Sequence, residues 1–164
     1  MSYIDNYSSP EEFIRKMITA NMGTDSLMYK HDMIKLAESK GLSSEKKALK
    51  AMNKDELYDL LIGSMTAEEL AIYAHVGISS FEYQQKFDID NSDVKFMASH
   101  GFIAVTGKAR FRAFGKYHYA DLYSCFDYFR LTKEDVWDWL TANRPKYNKQ
   151  VKDFENDKDR PERT

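Results

Sequence analysis

The sequence predicts a mainly α-helical fold with a small β-hairpin wing, and three observations carry that prediction. First, the Ser/Thr/Asn-x-x-Glu pattern recurs four times, as Ser9…Glu12, Asn53…Glu56, Thr66…Glu69 and Ser79…Glu82. In such a pair the first side chain accepts from an amide of the first helical turn and the glutamate reaches back to the cap, so each marks a helix start. Second, Gly41, Gly63, Gly77 and Gly101 stand where helices would stop, and Pro10 stands at a first helical position. Third, between Gly101 and Tyr123 the apolar spacing changes from helical to alternating, the signature of strands.

These signals place helices near 10–20, 31–40, 54–62, 67–76, 80–87, 91–100 and 133–142. The apolar run Phe102-Ile103-Ala104-Val105 is closed by Thr106-Gly107, after which Lys108, Arg110 and Arg112 alternate with Ala109, Phe111 and Ala113. That alternation predicts a hairpin with one basic face and one packed face, Phe111 pointing to the core, and Gly115 turning the chain before Tyr117-His118-Tyr119. Tyr117 and Tyr119 are assigned to packing in preference to base stacking. Past Asn143 the chain is rich in Lys, Asp, Glu and Asn and is expected to be flexible. The resulting division is an N-terminal helical module over 1–64, a second domain over 65–143 and a charged tail over 144–164, with the second domain expected to fold without the first.

Composition narrows the function. The 164 residues carry a formal net charge of -2, which conceals a polarised chain. Asp55–Asp93 holds nine acids against one base, Lys86, whereas Val94–Ala120 holds Lys95, Lys108, Arg110, Arg112 and Lys116 and no acid. Positive charge concentrated on one element of a nearly neutral molecule points to a localised anionic partner, with nucleic acid first among the candidates. No apolar run approaches the roughly eighteen residues of a membrane span, and Met1-Ser2-Tyr3-Ile4-Asp5 lacks the layout of a signal peptide. A cytoplasmic protein without membrane association is expected. The lone Cys125 is read as a buried thiol. His31, His75, His100 and His118 are dispersed, and neither a nucleophile elbow nor a glycine-rich phosphate loop is present. The expectation is a protein without enzymatic activity, cofactor or metal.

The helices over 80–87 and 91–100, joined by Asp88-Ile89-Asp90 and preceded by 67–76, have the layout of a helix-turn-helix. Val94, Met97 and Ala98 are placed in the core, leaving Ser92, Lys95 and Ser99 on the opposite face. With the exit "HGFIAVTG" and the later "YHYADLYSCFDYF", the stretch Thr66–Leu140 resembles the excisionase/MerR-like winged helix-turn-helix family. The resemblance implies duplex DNA contacts from Ser92, Lys95 and Ser99 in the major groove and from Lys108, Arg110 and Arg112 on the wing, and Lys116 of the same acid-free basic segment joins them as a candidate. Asp88, Asp90 and Asp93 at the start of the same helix favour its dipole and oppose phosphate. Upstream, Gly41-Leu42 ending one helix and Lys54…Leu57 opening the next resemble the SAP / Rho N-terminal module. That likeness implies phosphate contacts from Lys46, Lys47, Lys50 and Lys54; the bland reading is a solvated lysine-rich connector.

Trp137 falls off the apolar stripe Val136, Trp139, Leu140, and its exposure would mark a homodimer or partner contact. The function expected from the sequence is non-catalytic duplex DNA binding by a bacterial or phage/mobile-element regulator or accessory factor. The alternative is a small inhibitor or adaptor that engages a host protein on the same scaffold, since fold does not settle function.

Overall fold

The computed structural model describes residues 3–20, 28–43 and 45–148. A 3-10 turn, Tyr3–Asn6, precedes α1 (Pro10–Thr19), α2 (Lys30–Ser39), α3 (Lys46–Ala51), α4 (Lys54–Ile62), α5 (Ala67–Tyr73), α6 (Ser80–Phe87) and α7 (Asn91–Ser99). Strands β1 (Val105–Ala113) and β2 (Lys116–Tyr123) form an antiparallel hairpin, followed by α8 (Cys125–Arg130) and α9 (Lys133–Asn143). The fold is mainly helical with one small hairpin, as the sequence predicts.

Asn53 and Glu56 form the complete reciprocal cap. Ser9 and Thr66 accept from the amides of Glu12 and Glu69, but the Glu12 carboxylate turns instead to the Ser8 amide at 2.9 Å. Ser79 makes no side-chain cap bond, and its expected partner Glu82 is buried, where desolvation raises its pKa. Two further complete boxes use aspartate at the third position, Asp90–Asp93 and Thr132–Asp135. Two helices absent from the prediction have reasons to escape it. Helix α3 buries Leu49 alone, too little for a periodic signal, and α8 starts on Ser124, which accepts from the amides of Phe126 and Asp127 inside an aromatic run.

Helix α1 packs on α4 and also on α5 and α8, so it spans the turn at Gly63–Met65. Phe13, Ile14 and Ile18 share one core with Leu57, Leu61, Leu70, Tyr83, Phe87, Val94, Met97, Val136 and Leu140. Each such side chain contributes about 1.5–3 kcal/mol on burial. Tyr83 ties α6 to the hairpin base and to α8. Its ring meets Tyr123 and Tyr128 edge-on at 5.8 and 5.6 Å, its hydroxyl donates to the Ser124 carbonyl, and burial pushes its pKa well above the usual value. Trp137 is half-buried and not free: its Nε1 donates to the Phe87 carbonyl at 2.8 Å, which removes the expected argument for a dimer contact. Trp139 stacks on Phe102 at 4.5 Å.

Close backbone approach anchors the hairpin base. Ile78 and Tyr123 exchange backbone hydrogen bonds of 2.9 and 2.8 Å, and a Cβ on Gly77 would lie 2.9 Å from the Tyr123 carbonyl oxygen. A Cβ on Gly107 would lie 2.7 Å from both Cβ and O of His75. These two glycines therefore serve close contact, where the sequence predicts Gly77 to stop a helix and Gly107 to close the apolar run ahead of the hairpin. Helix α5 instead ends three residues earlier than predicted, through His75 at φ 57 with the Val76 amide donating to Ala71 at 2.8 Å. Beside Gly77, the Thr106 hydroxyl is buried without a protein partner. A Thr106→Val variant keeps the shape and deletes that orphaned hydroxyl, so it is expected to melt at or above the parent temperature. A clear drop in thermal unfolding would show that the hydroxyl is satisfied.

Strand β1 runs on through Thr106-Gly107, with a register irregularity between Val105 and Gly107, and the reversal comes at Phe114-Gly115, with φ 53 and 74. Beyond Gly107 the strands leave the core. Six residues, Lys108–Ala113, at about 3.4 Å each give an arm of roughly 20 Å. The expected packed face does not exist: Phe111 is 47% exposed and stacks on the cross-strand His118 at 5.5 Å. Tyr117 and Tyr119 are exposed as well. Alternation reports that a strand has two faces; here both the Phe111 face and the tyrosine face are largely open to solvent.

Candidate nucleic-acid interface

The predicted helix pair is present, with Asp88 in the left-handed conformation at φ 55 ending α6 and Asp90 capping α7. The start of α7 is covered, however. Buried Asp93 accepts from the Arg144 guanidinium and from the Tyr147 hydroxyl at 2.8 Å. Arg144 also donates to the Ser92 hydroxyl at 3.1 Å, and Lys146 lies 3.4 Å from Asp90. The expected flexible tail thus begins as a strap on α7; its remainder, 149–164, lies outside the described residues.

This arrangement answers the problem that the acidic cluster poses. Asp93 and Asp90 are paired with Arg144 and Lys146, and Asp88 lies 3.5 Å from Lys133. The Ser92 hydroxyl, bonded at 2.6 Å, is the largest cause holding the Asp90 pKa down at about 2, followed by the Asp93 amide. Ser92 is therefore committed to the cap and strap. Ser99 donates to its own helix at the Phe96 carbonyl, 3.0 Å away. Of the three α7 candidates, Lys95 is an exposed cation outside every ion pair among the described residues.

The upstream lysines divide. Lys46, Lys47 and Lys50 are exposed, but on helix α3 and not on a loop. Lys54 is a correction, because only 8% of it is exposed and its ammonium donates to the carbonyls of Ala20 at 2.7 Å and Met28 at 2.6 Å. It satisfies the C-terminal end of α1 and the approach to α2, with burial lowering its pKa; a phosphate cannot reach it without breaking those bonds. Helix α3 packs on α2, whereas the hairpin packs on α5 and α6, so the two basic groups belong to different parts of the fold.

The hairpin gathers the remaining candidates. Directly paired residues of antiparallel strands share a face, and the register pairs Lys108 with Asp121, Arg110 with Tyr119 and Arg112 with Tyr117. One face thus carries three cations and two exposed tyrosines, with Asp121 opposite Lys108 at its inner end. The Arg110 guanidinium lies 4.6 Å from the Tyr117 ring centre and that of Arg112 5.9 Å, contacts of about 0.5–1 kcal/mol each at exposed sites. Lys116, paired with Ala113, belongs to the reverse face with Phe111 and His118. No ion pair among the described residues engages Lys108, Arg110, Arg112 or Lys116. The sequence reading missed the tyrosines as part of this face; the signal was available in the spacing of two strands about Phe114-Gly115, which sets the register.

Chemistry elsewhere is sparse. Among the described residues no three His, Cys, Asp or Glu side chains are grouped to hold a metal ion, and no helix is long and apolar enough to cross a membrane. Cys125 is buried, and burial pushes its thiol up to about 12. No family model matches the chain, and no curated protein or solved structure is significantly similar to it.

Proposed function

We propose that the protein is a non-catalytic DNA-binding protein that grips the backbone of a duplex with its hairpin, acting as a regulator or accessory factor in a bacterial or mobile-element process. The observation that carries this reading is the cationic–aromatic face of Lys108, Arg110, Arg112, Tyr117 and Tyr119, all exposed, on the part of the hairpin beyond its packed base. Cations freed of carboxylate partners attract phosphates at long range. Tyr117 stiffens both arginines before contact, which lowers the ordering cost of binding. Lys95 on α7 is the supplementary contact, and Lys46, Lys47 and Lys50 form a second basic surface; Ser92, Ser99 and Lys54 are not part of the proposed interface.

Fluorescence anisotropy with a mixed-sequence duplex tests the reading. Binding in the micromolar range or tighter is expected at low salt, with log affinity falling against log salt at a slope of about -3 if the three cations of that face each meet one phosphate. No binding at about 50 mM salt, with a protein recovered from nuclease-treated lysate instead, would transfer the function to the host-protein adaptor.

A further inference from the structure

We infer that Phe114, at the tip of the hairpin, inserts into a base step of the DNA that the cationic face holds; the inference rests on the DNA-binding reading. The ring is 101% exposed, so it contributes no packing to the folded state. Its backbone sits at φ 53, followed by Gly115 at φ 74, in a two-residue hairpin turn where both central residues need the left-handed conformation. Asn-Gly is the preferred pair for such a turn, and a bulky aromatic at its first position is disfavoured. A strained conformation that no folded-state contact repays is the kind of outlier that points to function. What surrounds the tip identifies the partner. Arg112 and Lys116 flank the Phe114-Gly115 turn, and the arm behind it carries Lys108 and Arg110 against the single acid Asp121. An apolar wedge framed by cations suits a base step framed by phosphates, and side chains of this type unstack steps and kink duplexes.

Phe114→Asn in the full chain is the decisive variant, because Asn-Gly matches the turn and removes the wedge without endangering the hairpin. The parent is expected to raise the fluorescence of 2-aminopurine placed within its duplex and to prefer a duplex with one central mismatch, where unstacking is easier. Phe114→Asn should melt at or above the parent temperature, keep the salt slope, and lose both the fluorescence rise and the mismatch preference. Its affinity should fall roughly five- to hundredfold, the range of a base–aromatic stack. A variant that binds and unstacks like the parent overturns the wedge while leaving the DNA reading intact. If the parent binds no duplex and Phe114→Asn instead releases a protein partner, both the wedge and the DNA reading fall, and the tip is a protein anchor.

Discussion

Replacing Arg110 and Arg112 together by Glu is expected to weaken duplex binding by roughly two orders of magnitude at 50 mM salt, and to flatten the salt slope by about 2, as two phosphate contacts become repulsions. The fold should barely respond. Both side chains are exposed, and exposed substitutions usually stay within about 0.5 kcal/mol; losing the contacts with Tyr117 adds a cost confined to the arm. The melting temperature should move by no more than about 3 °C. Phe111→Ala, which a core position would make a loss of about 3–5 kcal/mol, should instead cost under about 1 kcal/mol, since its ring contact is with His118 on the same exposed hairpin. A stable double-Glu variant that binds duplex as tightly as the parent would remove the hairpin from the interface.

Asp93→Ala is expected to have the largest effect on stability, about 3–5 kcal/mol, the usual result of removing one partner from a buried ion pair. Several bonds fail together: the Arg144 guanidinium and the Tyr147 hydroxyl lose their acceptor, and the Asp90 amide loses its reciprocal cap at 3.1 Å. Thermal unfolding followed by circular dichroism should show a fall of about 6–20 °C for a chain of this size. Adding Arg144→Met should recover part of the loss, because the penalty includes leaving a half-buried guanidinium without its carboxylate. An Asp93→Ala protein that melts within 2 °C or so of the parent would mean that the strap is not seated on α7.

The same corner sets a pH response. Asp90 is depressed from 3.8 to about 2 in the fold, so its ionised form is favoured by folding. Its contribution is fully present above about pH 4, where the unfolded carboxyl is also ionised, and fades as pH falls toward 2. Because the side chain is more than half exposed, solvent screening keeps the contribution small. The melting advantage of the parent over an Asp90→Asn protein is therefore expected to narrow on acidification from about pH 4 to about pH 2; an advantage that widens over that range would assign the low pKa to something other than the Ser92 and Asp93 contacts.

Much of this architecture was legible because its causes are local. A helix cap needs side chains three residues apart, so Asn53–Glu56 announced α4, and the acids of Asp88-Ile89-Asp90 marked the break between α6 and α7. Strand alternation over Lys108–Ala113 announced a hairpin, and the charge asymmetry between 55–93 and 94–120 was legible by inspection. What each side chain faces was not. Lys54 resembles a phosphate contact until the carbonyls of Ala20 and Met28, 34 and 26 residues away, close on its ammonium. Ser92 resembles a base reader until Arg144, 52 residues away, claims its hydroxyl. Phe111 resembles core, and no local signal tells a strand under a helix from a strand in open water.

The sequence by itself determined most of the helix starts, all but those of α3 and α8, together with the hairpin and the sign of its charge, since backbone hydrogen bonding and charge order along the chain depend on neighbours a few residues apart. Tertiary structure alone decided which cations remain available to a partner. A lysine, serine or phenylalanine is buried or free according to groups that only folding brings beside it, and the desolvation and hydrogen-bond energies that settle the matter do not exist until those groups meet.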